Sequence, residues 1–274
     1  MKRFGILRNT DKDKKGTFTK RLAKYLQSKG AECIISDDGS NIPQDVECFI
    51  VLGGDGTLLR AAKKVVDSGI PLFGINLGTL GYLAEVDRNG ALKAMDCLLN
   101  DQYLIEKRMM LQGTIVHNGE VIARDIALND VVIVRQGHLR VVNFMNNVND
   151  TYLNSYKADG IILSTATGST GYSLSAGGPI VSPEAEVLLM TPISPHTLNT
   201  RSIVFQGSDR ISVEIGQGNT VGIAEANVSF DGDAYISVGT GDKIIVERAG
   251  KQTKILKISD ISFLEILRKK MAGT

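Results

Sequence analysis

The glycine-rich sequence GGDGT at residues 53–57 constrains this chain most, because of what stands on either side of it. Residues 48–52 form a continuous apolar run, which is typical of a strand buried on both faces. Helical spacing follows and predicts a helix from about Thr57 to Val66. Open α/β sheets bind ligands at the carboxyl ends of their strands, and glycines there let the backbone approach phosphate oxygens. The sequence therefore predicts a phosphate-binding turn.

Asp55 is the unexpected member of this turn, because a carboxylate repels phosphates. Its presence beside a phosphate site therefore indicates a chemical task. It could hold a magnesium ion or accept a proton from an attacking hydroxyl. The alternative interpretation is a tight strand-to-helix turn in which Asp55 caps the helix.

Strands and helices alternate over the first hundred residues. Besides the elements around the turn, strands are predicted at residues 4–7, 32–36 and 70–75, and helices at 17–30 and 91–99. This alternation predicts a doubly wound parallel sheet.

Short β-rich runs replace the helical spacing after about Tyr103. The pair Asn118-Gly119 indicates a tight hairpin. The predicted strands lie at 113–116, 120–122, 130–134, 161–164, 203–205, 210–215, 228–230 and 243–247. This half is predicted to form a β-sandwich or a similar all-β unit. Residues 259–271 return to helical spacing, with Ser259 or Asp260 as the cap.

A second polar motif begins at Lys157-Ala158-Asp159-Gly160 and continues, after an apolar strand, as TATGSTGYSLSAGGP at 165–179. Its hydroxyls can bond to ribose or adenine edges, and Tyr172 can stack on a base. The alternative is a surface loop rich in turn formers. The segment carries few charges and is long for a connecting loop, which favours a binding role.

A third motif, Asn129-Asp130, precedes a predicted strand. The two side chains could hold vicinal ribose hydroxyls. Taken alone, the pair favours a simple turn before the strand.

Composition and missing motifs exclude several classes of protein. A formal net charge of +1 gives no overall attraction to nucleic acid or acidic membranes. No apolar run approaches the ~18 residues that cross a bilayer, no signal peptide is visible, and the odd number of cysteines indicates reduced thiols, so we expect a cytoplasmic protein. The chain has no G-x-x-x-x-G-K-[ST] motif, and no G-x-G-x-x-G follows the early strands, so the standard dehydrogenase fingerprint is missing. The three histidines are widely spaced and indicate no Ser-His-Asp or histidine-metal grouping.

Together the three motifs resemble the NAD kinase family, over nearly the whole chain. Residues 53–57 look like its GGDGT signature, and residues 74–83 look like its next strand and loop. Asn129-Asp130 falls where the family has an Asn-Glu pair, and residues 167–178 look like its most distinctive segment. Lipid kinases of the diacylglycerol type share GGDGT, whereas its combination with the hydroxyl-rich segment at this separation is highly specific.

The resemblance implies an α/β domain, doubly wound and Rossmann-like, at 1–102, and an all-β, NAD-binding β-sandwich domain at 103–254. A C-terminal helix at 255–274 would return to the first domain. The implied reaction moves the γ-phosphoryl group of ATP to the 2′-hydroxyl of the adenosine ribose of NAD, giving NADP, with a divalent cation, usually magnesium. The resemblance also implies a homo-oligomer, dimer or tetramer, with the NAD site near a subunit interface.

Carried over by position, Asp55 is the proton acceptor for the ribose 2′-hydroxyl. The predicted binding residues are Gly53, Gly54, Gly56, Thr57, Arg60, Asn129, Asp130, Lys157, Asp159, Thr170, Gly171, Tyr172, Ser173, Leu174 and Ser175, and no metal-ligating side chain is predicted. Arg60 would touch a phosphate, Asn129 and Asp130 would hold ribose hydroxyls, and residues 170–175 would line the adenosine pocket. Lys157 and Asp159 would reach the dinucleotide, across a subunit interface if the oligomer brings them there.

The chain departs from the family pattern at three positions. Asp130 replaces the usual Glu, which shortens the side chain by one methylene, and Gly171 replaces Ala. Asp233 stands where many members have Gln and is not expected to bind. Two alternatives stay open: a lipid kinase of the diacylglycerol type, which needs an apolar groove for its acceptor, and a dinucleotide-binding regulator without catalysis.

Overall fold

The computed structural model describes residues 1–40, 42–78, 81–137, 141–196, 200–216, 225–259 and 262–272. The chain divides into two compact units, which we call the α/β unit and the β unit. The α/β unit comprises Met1–Arg108 and Lys251–Thr274, and the β unit comprises Met109–Gly250.

Strands outnumber helices in the described parts of the chain. The strands are β1 Arg3–Arg8, β2 Glu32–Ser36, β3 Cys48–Gly53, β4 Leu72–Asn76, β5 Val86–Asp87, β6 Leu104–His117, β7 Glu120–Ala127, β8 Asp130–Arg135, β9 Val142–Val148, β10 Thr151–Ala158, β11 Gly160–Thr165, β12 Val187–Ile193, β13 Ile203–Gln206, β14 Ile211–Gly216, β15 Glu225–Phe230, β16 Ile236–Gly239 and β17 Lys243–Lys257. The helices are α1 Thr17–Ser28, α2 Asp55–Val65, α3 Ala91–Leu99, α4 Tyr172–Ser175 and α5 Phe263–Met271, and a 3₁₀ turn covers Thr167–Thr170.

The α/β unit is built on a parallel sheet. Its strand order is β17-β4-β3-β1-β2, with β5 paired to β4. The end of β17 joins through Ile255, opposite Leu72. The predicted parallel sheet is therefore present, and the strand ends of β1, β3 and β4 lie side by side.

Helices cover both faces of this sheet. Phe4 and Ile6 of β1 join a buried cluster with side chains of α1 and α3. On the opposite face, a Cβ atom added to Gly74 would lie 2.7 Å from Leu58 Cδ1 of α2. Neighbouring residues of a strand face opposite sides of the sheet, so position 74 faces α2. A side chain there would displace the helix.

The C-terminal segment belongs to the α/β unit through Glu85. One carboxylate oxygen of Glu85 accepts from the backbone N–H groups of Ile258 and Ser259, at 3.0 and 2.8 Å, and from the Ser259 hydroxyl. The other oxygen forms an ion pair with Lys257. The prediction of Ser259 as the cap of α5 was wrong, because Ser259 bonds to Glu85 and Ser262 forms a capping box with Glu265. Asp260 lies outside the described residues.

The β unit contains antiparallel sheets. One has the strand order β13-β12-β11-β8-β15-β16, and another joins β10, β9, β14 and the start of β17. Buried residues of both sheets, such as Phe144 of β9 and Leu163 of β11, belong to one hydrophobic cluster. Each fully buried side chain of this size contributes roughly 1.5–3 kcal/mol, so the shared cluster stabilises both sheets together.

The hairpin predicted at Asn118-Gly119 joins β6 to β7, and both residues have positive φ, 50° and 83°. A two-residue turn of this kind needs a left-handed backbone, which Asn and Gly adopt most readily.

The predicted helix from Thr57 begins two residues earlier, at Asp55, and the strand predicted at 70–75 lies at Leu72–Asn76. Strands β5, β9, β10, β12 and β16 were not predicted. Within the described parts of the chain, no helix is long and apolar enough to cross a membrane.

Candidate functional site

The GGDGT turn joins β3 to α2 at the carboxyl edge of the parallel sheet. Strand β3 ends at Gly53 and α2 begins at Asp55, with Gly54 at the N-cap and no side chain capping the helix. A Cβ atom at Gly53 would lie 2.6 Å from Thr57 Cβ, so only glycine fits there. A Cβ at Gly56 would meet nothing within 4 Å. The Thr57 and Leu58 N–H groups donate to the Gly54 carbonyl, whereas the N–H groups of Asp55 and Gly56 at the start of α2 are available to an anion.

Asp55 does not cap the helix. Its carboxylate accepts hydrogen bonds from the backbone N–H groups of Tyr82, at 2.8 Å, and Leu83, at 3.2 Å. A Cβ atom at Gly81 would collide with this carboxylate. The segment after β4 therefore fixes Asp55 at the start of α2, although Thr79 and Leu80 of that segment lie outside the described residues.

The loop after β1 lies against the same turn. Asn9 Nδ2 donates to the Thr57 hydroxyl at 3.0 Å, and Asn9 Oδ1 accepts from the backbone N–H groups of Asp11 and Lys12. Methyl groups added to Gly54 or Gly78 would each lie 3.2 Å from Lys12 Nζ. The ammonium group of Lys12 thus stands beside the turn, although no motif in the sequence singled this lysine out.

A cleft of about 300 Å³ adjoins this turn in the α/β unit. Arg60, Lys64, Asn9 and Thr57 are among the residues that line it. Arg8 also lines the cleft, but its guanidinium is bonded to Asp37 at 2.7 and 2.6 Å. Arg60, which was predicted to touch a phosphate, thus lines a cleft of mixed charge, to which Asp11, Asp37 and Asp38 also contribute.

A second polar group lies in the β unit, where Asn129 and Asp130 meet the hydroxyl-rich segment. Thr165 donates to the carbonyls of Asn129 and Leu128, at 2.9 and 2.7 Å. A Cβ atom at Gly171 would lie 3.3 Å from Asn129 Nδ2 and 3.7 Å from Asp130 Oδ2. The structure therefore brings three of the predicted residues together.

Asp130 is the first residue of β8 and only 6% exposed. Burial, followed by the negative charge of Asp231, raises the pKa of Asp130 to about 7. Asn129 Oδ1 and Ser164 Oγ are both buried without a hydrogen-bond partner. Ser164 lies directly opposite Asp130 in the sheet. Buried polar atoms without partners are costly, and a ligand hydroxyl would satisfy them.

Asp231 supports this group from the neighbouring hairpin. Its carboxylate accepts hydrogen bonds from three consecutive backbone N–H groups, those of Leu128 at 2.7 Å, Asn129 at 2.7 Å and Asp130 at 3.2 Å. Asp231 was not predicted as a site residue, and the positive φ of 54° at that residue has no signal in the sequence beyond the following glycine.

The hydroxyl-rich segment folds into the 3₁₀ turn and α4. From the sequence, a long surface loop was the alternative at this place. Ser173 is buried and shares a hydrogen bond of 3.0 Å with Thr191, and Thr170 donates to the Thr167 carbonyl. Tyr172 and Leu174 are exposed, at 45% and 37%, and Ser175 is exposed too. Ser173 therefore holds the segment in place, whereas its exposed neighbours are free to meet a ligand.

Lys157 and Asp159 are not brought to this group. Asp159 precedes Gly160, which pairs with Val134, whereas Ser164 pairs with Asp130 at the other end of β11. Four residues of strand span about 13 Å. Lys157 is exposed, and Asp159 accepts from Arg135 Nε at 2.8 Å.

No cluster of three or more His, Cys, Asp or Glu side chains that could hold a metal ion occurs in the part of the chain that the structure describes. Magnesium at nucleotide sites is held by one or two carboxylates together with substrate phosphates and waters, so it needs no such cluster.

A parallel α/β unit with an uncapped glycine-rich helix start, followed by a β unit with unsatisfied polar atoms, defines a nucleotide-binding protein. Comparison with known families gives the particular one. Residues 39–103 match the ATP-NAD kinase N-terminal domain, and residues 128–258 match the ATP-NAD kinase C-terminal domain. The chain belongs to the NAD kinase family.

Similar proteins extend over the whole chain. The NAD kinase of Lachnospira eligens is 44% identical, over 99% of this chain and 100% of its own length. The NAD kinase of Agathobacter rectalis is 45% identical, over 100% of this chain and 99% of its own. Among solved structures, yeast NADH kinase complexed with NADH superposes with a TM-score of 0.85 at 23% identity, covering 100% of this chain and 88% of that one. An NAD kinase from Archaeoglobus fulgidus in complex with ATP gives 0.81 at 21% identity, with all of both chains covered. These two structures share the two-unit fold.

Proposed function

We propose that this protein is an NAD kinase that transfers the γ-phosphoryl group of ATP to the 2′-hydroxyl of the adenosine ribose of NAD, giving NADP and ADP. The observation that carries the proposal is the Asp55 carboxylate, held by two backbone N–H groups at an uncapped helix start. Curated relatives named NAD kinase, 44% and 45% identical over their full length, support the same reaction.

The triphosphate would bind in the α/β unit. Gly53, Gly54, Gly56 and Thr57 present backbone rather than bulky side chains to it, and the α2 N-terminus supplies N–H donors. Lys12 beside the turn and Arg60 in the adjoining cleft would neutralise phosphate charge.

The dinucleotide would bind in the β unit. Asn129 Oδ1 is buried without a hydrogen-bond partner, and together with the adjacent Asp130 carboxylate it would accept hydrogen bonds from ribose hydroxyls. Thr170, Gly171 and the exposed Tyr172, Leu174 and Ser175 would line the adenosine pocket, with Ser173 holding the segment from within. Lys157 and Asp159 would act on a dinucleotide bound to a neighbouring subunit.

Asp55 would orient the 2′-hydroxyl and take its proton as the oxygen attacks the γ-phosphorus. Phosphoryl transfer depends on positioning and charge neutralisation, and a fixed carboxylate supplies the first. A divalent cation carried by the triphosphate supplies part of the second. The two hydrogen bonds from backbone N–H groups hold the carboxylate in one position, which lowers the entropic cost of orienting it for the reaction.

The test is NADP formation by the purified chain from NAD, ATP and magnesium chloride, detected with an NADP-specific dehydrogenase. We expect NADP from the wild type and a loss of turnover by orders of magnitude in Asp55→Asn, with NAD binding by calorimetry retained. Near-normal turnover of Asp55→Asn would remove Asp55 as the proton acceptor. Phosphorylation of diacylglycerol without NADP formation would instead favour a lipid kinase, and tight NAD binding without turnover a regulator.

We further infer the finer features that the family implies. These are a doubly wound, Rossmann-like α/β domain at 1–102, a β-sandwich domain at 103–254, a C-terminal segment at 255–274, a homo-oligomer such as a tetramer, magnesium as the cation and a cytoplasmic location. Light scattering of the purified chain tests the oligomer, and a monomer would exclude a site shared between subunits.

A further inference from the structure

One carboxylate holds the backbone of the residues that carry the polar group of the β unit. We propose that Asp231 is a positioning residue for the dinucleotide, fixing Asn129 and Asp130 in the orientation that receives the ribose. This inference rests on the proposed function. Asp231 itself would touch no substrate.

The hydrogen bonds are reciprocal. Asp231 receives three consecutive N–H groups from residues 128–130, and its own backbone N–H donates to the Asp130 carbonyl at 3.0 Å. The strands that carry the two partners are paired next to this point, with Phe230 opposite Val131. The left-handed backbone at Asp231, φ 54°, ends β15 and turns the carboxylate towards the start of β8.

A carboxylate suits this place for two reasons. Consecutive N–H groups that point to one spot favour an anion, and hydrogen bonds to an ionised acceptor are about twice as strong as neutral ones. Buried N–H groups also need a partner, which no side chain of residues 128–130 provides. Because Asp231 satisfies the backbone, the buried Asn129 Oδ1 remains without a partner and is available to a ligand hydroxyl.

The closeness of the two acids has a second effect. The negative charge of Asp231 disfavours a second negative charge at Asp130, in the same direction as burial. Removing the Asp231 charge therefore also lowers the pKa of Asp130 towards its ordinary value, an effect that the loss of an uncharged structural contact would not have.

The experiment compares Asp231→Asn with Asp209→Asn. Asp209 is a matched control in the β unit, since its carboxylate also accepts a backbone N–H, that of Gln206 at 2.9 Å, and a side-chain amide, that of Asn149 at 2.8 Å. In Asp231→Asn we expect KM for NAD to rise about ten- to hundredfold, with KM for ATP within about twofold of the wild type. Asp209→Asn should leave both KM values unchanged.

Equal changes in both KM values, an unchanged KM for NAD in a folded Asp231→Asn, or the same effect in Asp209→Asn would overturn the proposal. If Asp231→Asn does not fold, Asp231→Glu keeps the charge but moves it by one methylene, and the selective rise in KM for NAD is expected there. If the wild type forms no NADP, the proposed function fails by itself. Calorimetric titration with NAD then decides the positioning role, since affinity must fall in Asp231→Asn and not in Asp209→Asn.

Discussion

The amide of Asn9 donates a hydrogen bond of 3.0 Å to the hydroxyl of Thr57, and this bond fastens the loop after β1 to the glycine-rich turn. The same amide side chain accepts the N–H of Lys12 through its oxygen at 3.1 Å. One side chain thus joins a lysine to the turn that is proposed to bind the triphosphate.

Lys12→Gln should raise KM for ATP about tenfold and leave KM for NAD unchanged, because a charge-assisted contact to phosphate is lost. Lys15→Gln is the matched control, since Lys15 is an exposed lysine of the same loop. Steady-state kinetics with each substrate varied measures both constants. An equal effect of the two substitutions would mean that general positive charge, not the position of Lys12, matters.

Gly81→Ala should reduce kcat by about 100-fold, because the added Cβ would collide with the Asp55 carboxylate and displace it. Gly250→Ala is the control, since a Cβ there meets nothing within 4 Å. Single-turnover kinetics at saturating substrates separates this loss from weaker binding. Full activity of Gly81→Ala would show that the position of the carboxylate is not critical.

Asp130→Asn should stabilise the protein at pH 8 and much less at pH 5. Asp130 has its pKa raised from 3.8 to about 7 in the folded chain, so the folded state binds its proton more tightly than the unfolded state. The stability contributed by that proton is present below pH 4 and is lost as pH rises through 7. Thermal melts of both proteins across this range give the difference, on the order of a few kcal/mol at pH 8. A difference that does not change with pH would contradict the raised pKa.

Glu85→Gln should cost about 3–5 kcal/mol of unfolding free energy, because it leaves the largely buried ammonium of Lys257 without its charge partner. The exposed ion pair of Lys251 and Asp67 is the control, and Asp67→Asn should cost at most about 1 kcal/mol. Urea unfolding followed by circular dichroism measures both. Similar costs for the two variants would show that burial does not govern these pairs.

Elements with strong local signals could be predicted from the sequence. Helix α3 was predicted with its observed ends, Ala91 and Leu99, because its apolar spacing is regular. Strand β2 was likewise predicted at Glu32–Ser36. The polar pair Asn146-Asn147 in β9 and the polar edge strand β10 hide the alternation that identifies a strand.

The candidate site was predictable only in part. GGDGT and the hydroxyl-rich segment are continuous in sequence, so their motifs carry the signal. Asp231 acts on residues about a hundred positions earlier, and Glu85 acts on residues more than 170 positions later. Such partners are chosen by strand pairing and tertiary packing, which periodicity and spacing do not contain.

Helix α5 buries none of its side chains, and Phe263 and Lys270 contact the ring of Tyr82, with ring centroids 6.4 Å apart and Nζ 5.0 Å from the ring centre. The backbone N–H of Tyr82 is one of the two donors to Asp55. A chain shortened before Ser262 would keep the fully buried core and lose this brace. If Asp55 acts as proposed, we expect damage to the last helix to slow turnover before it lowers the stability of the fold.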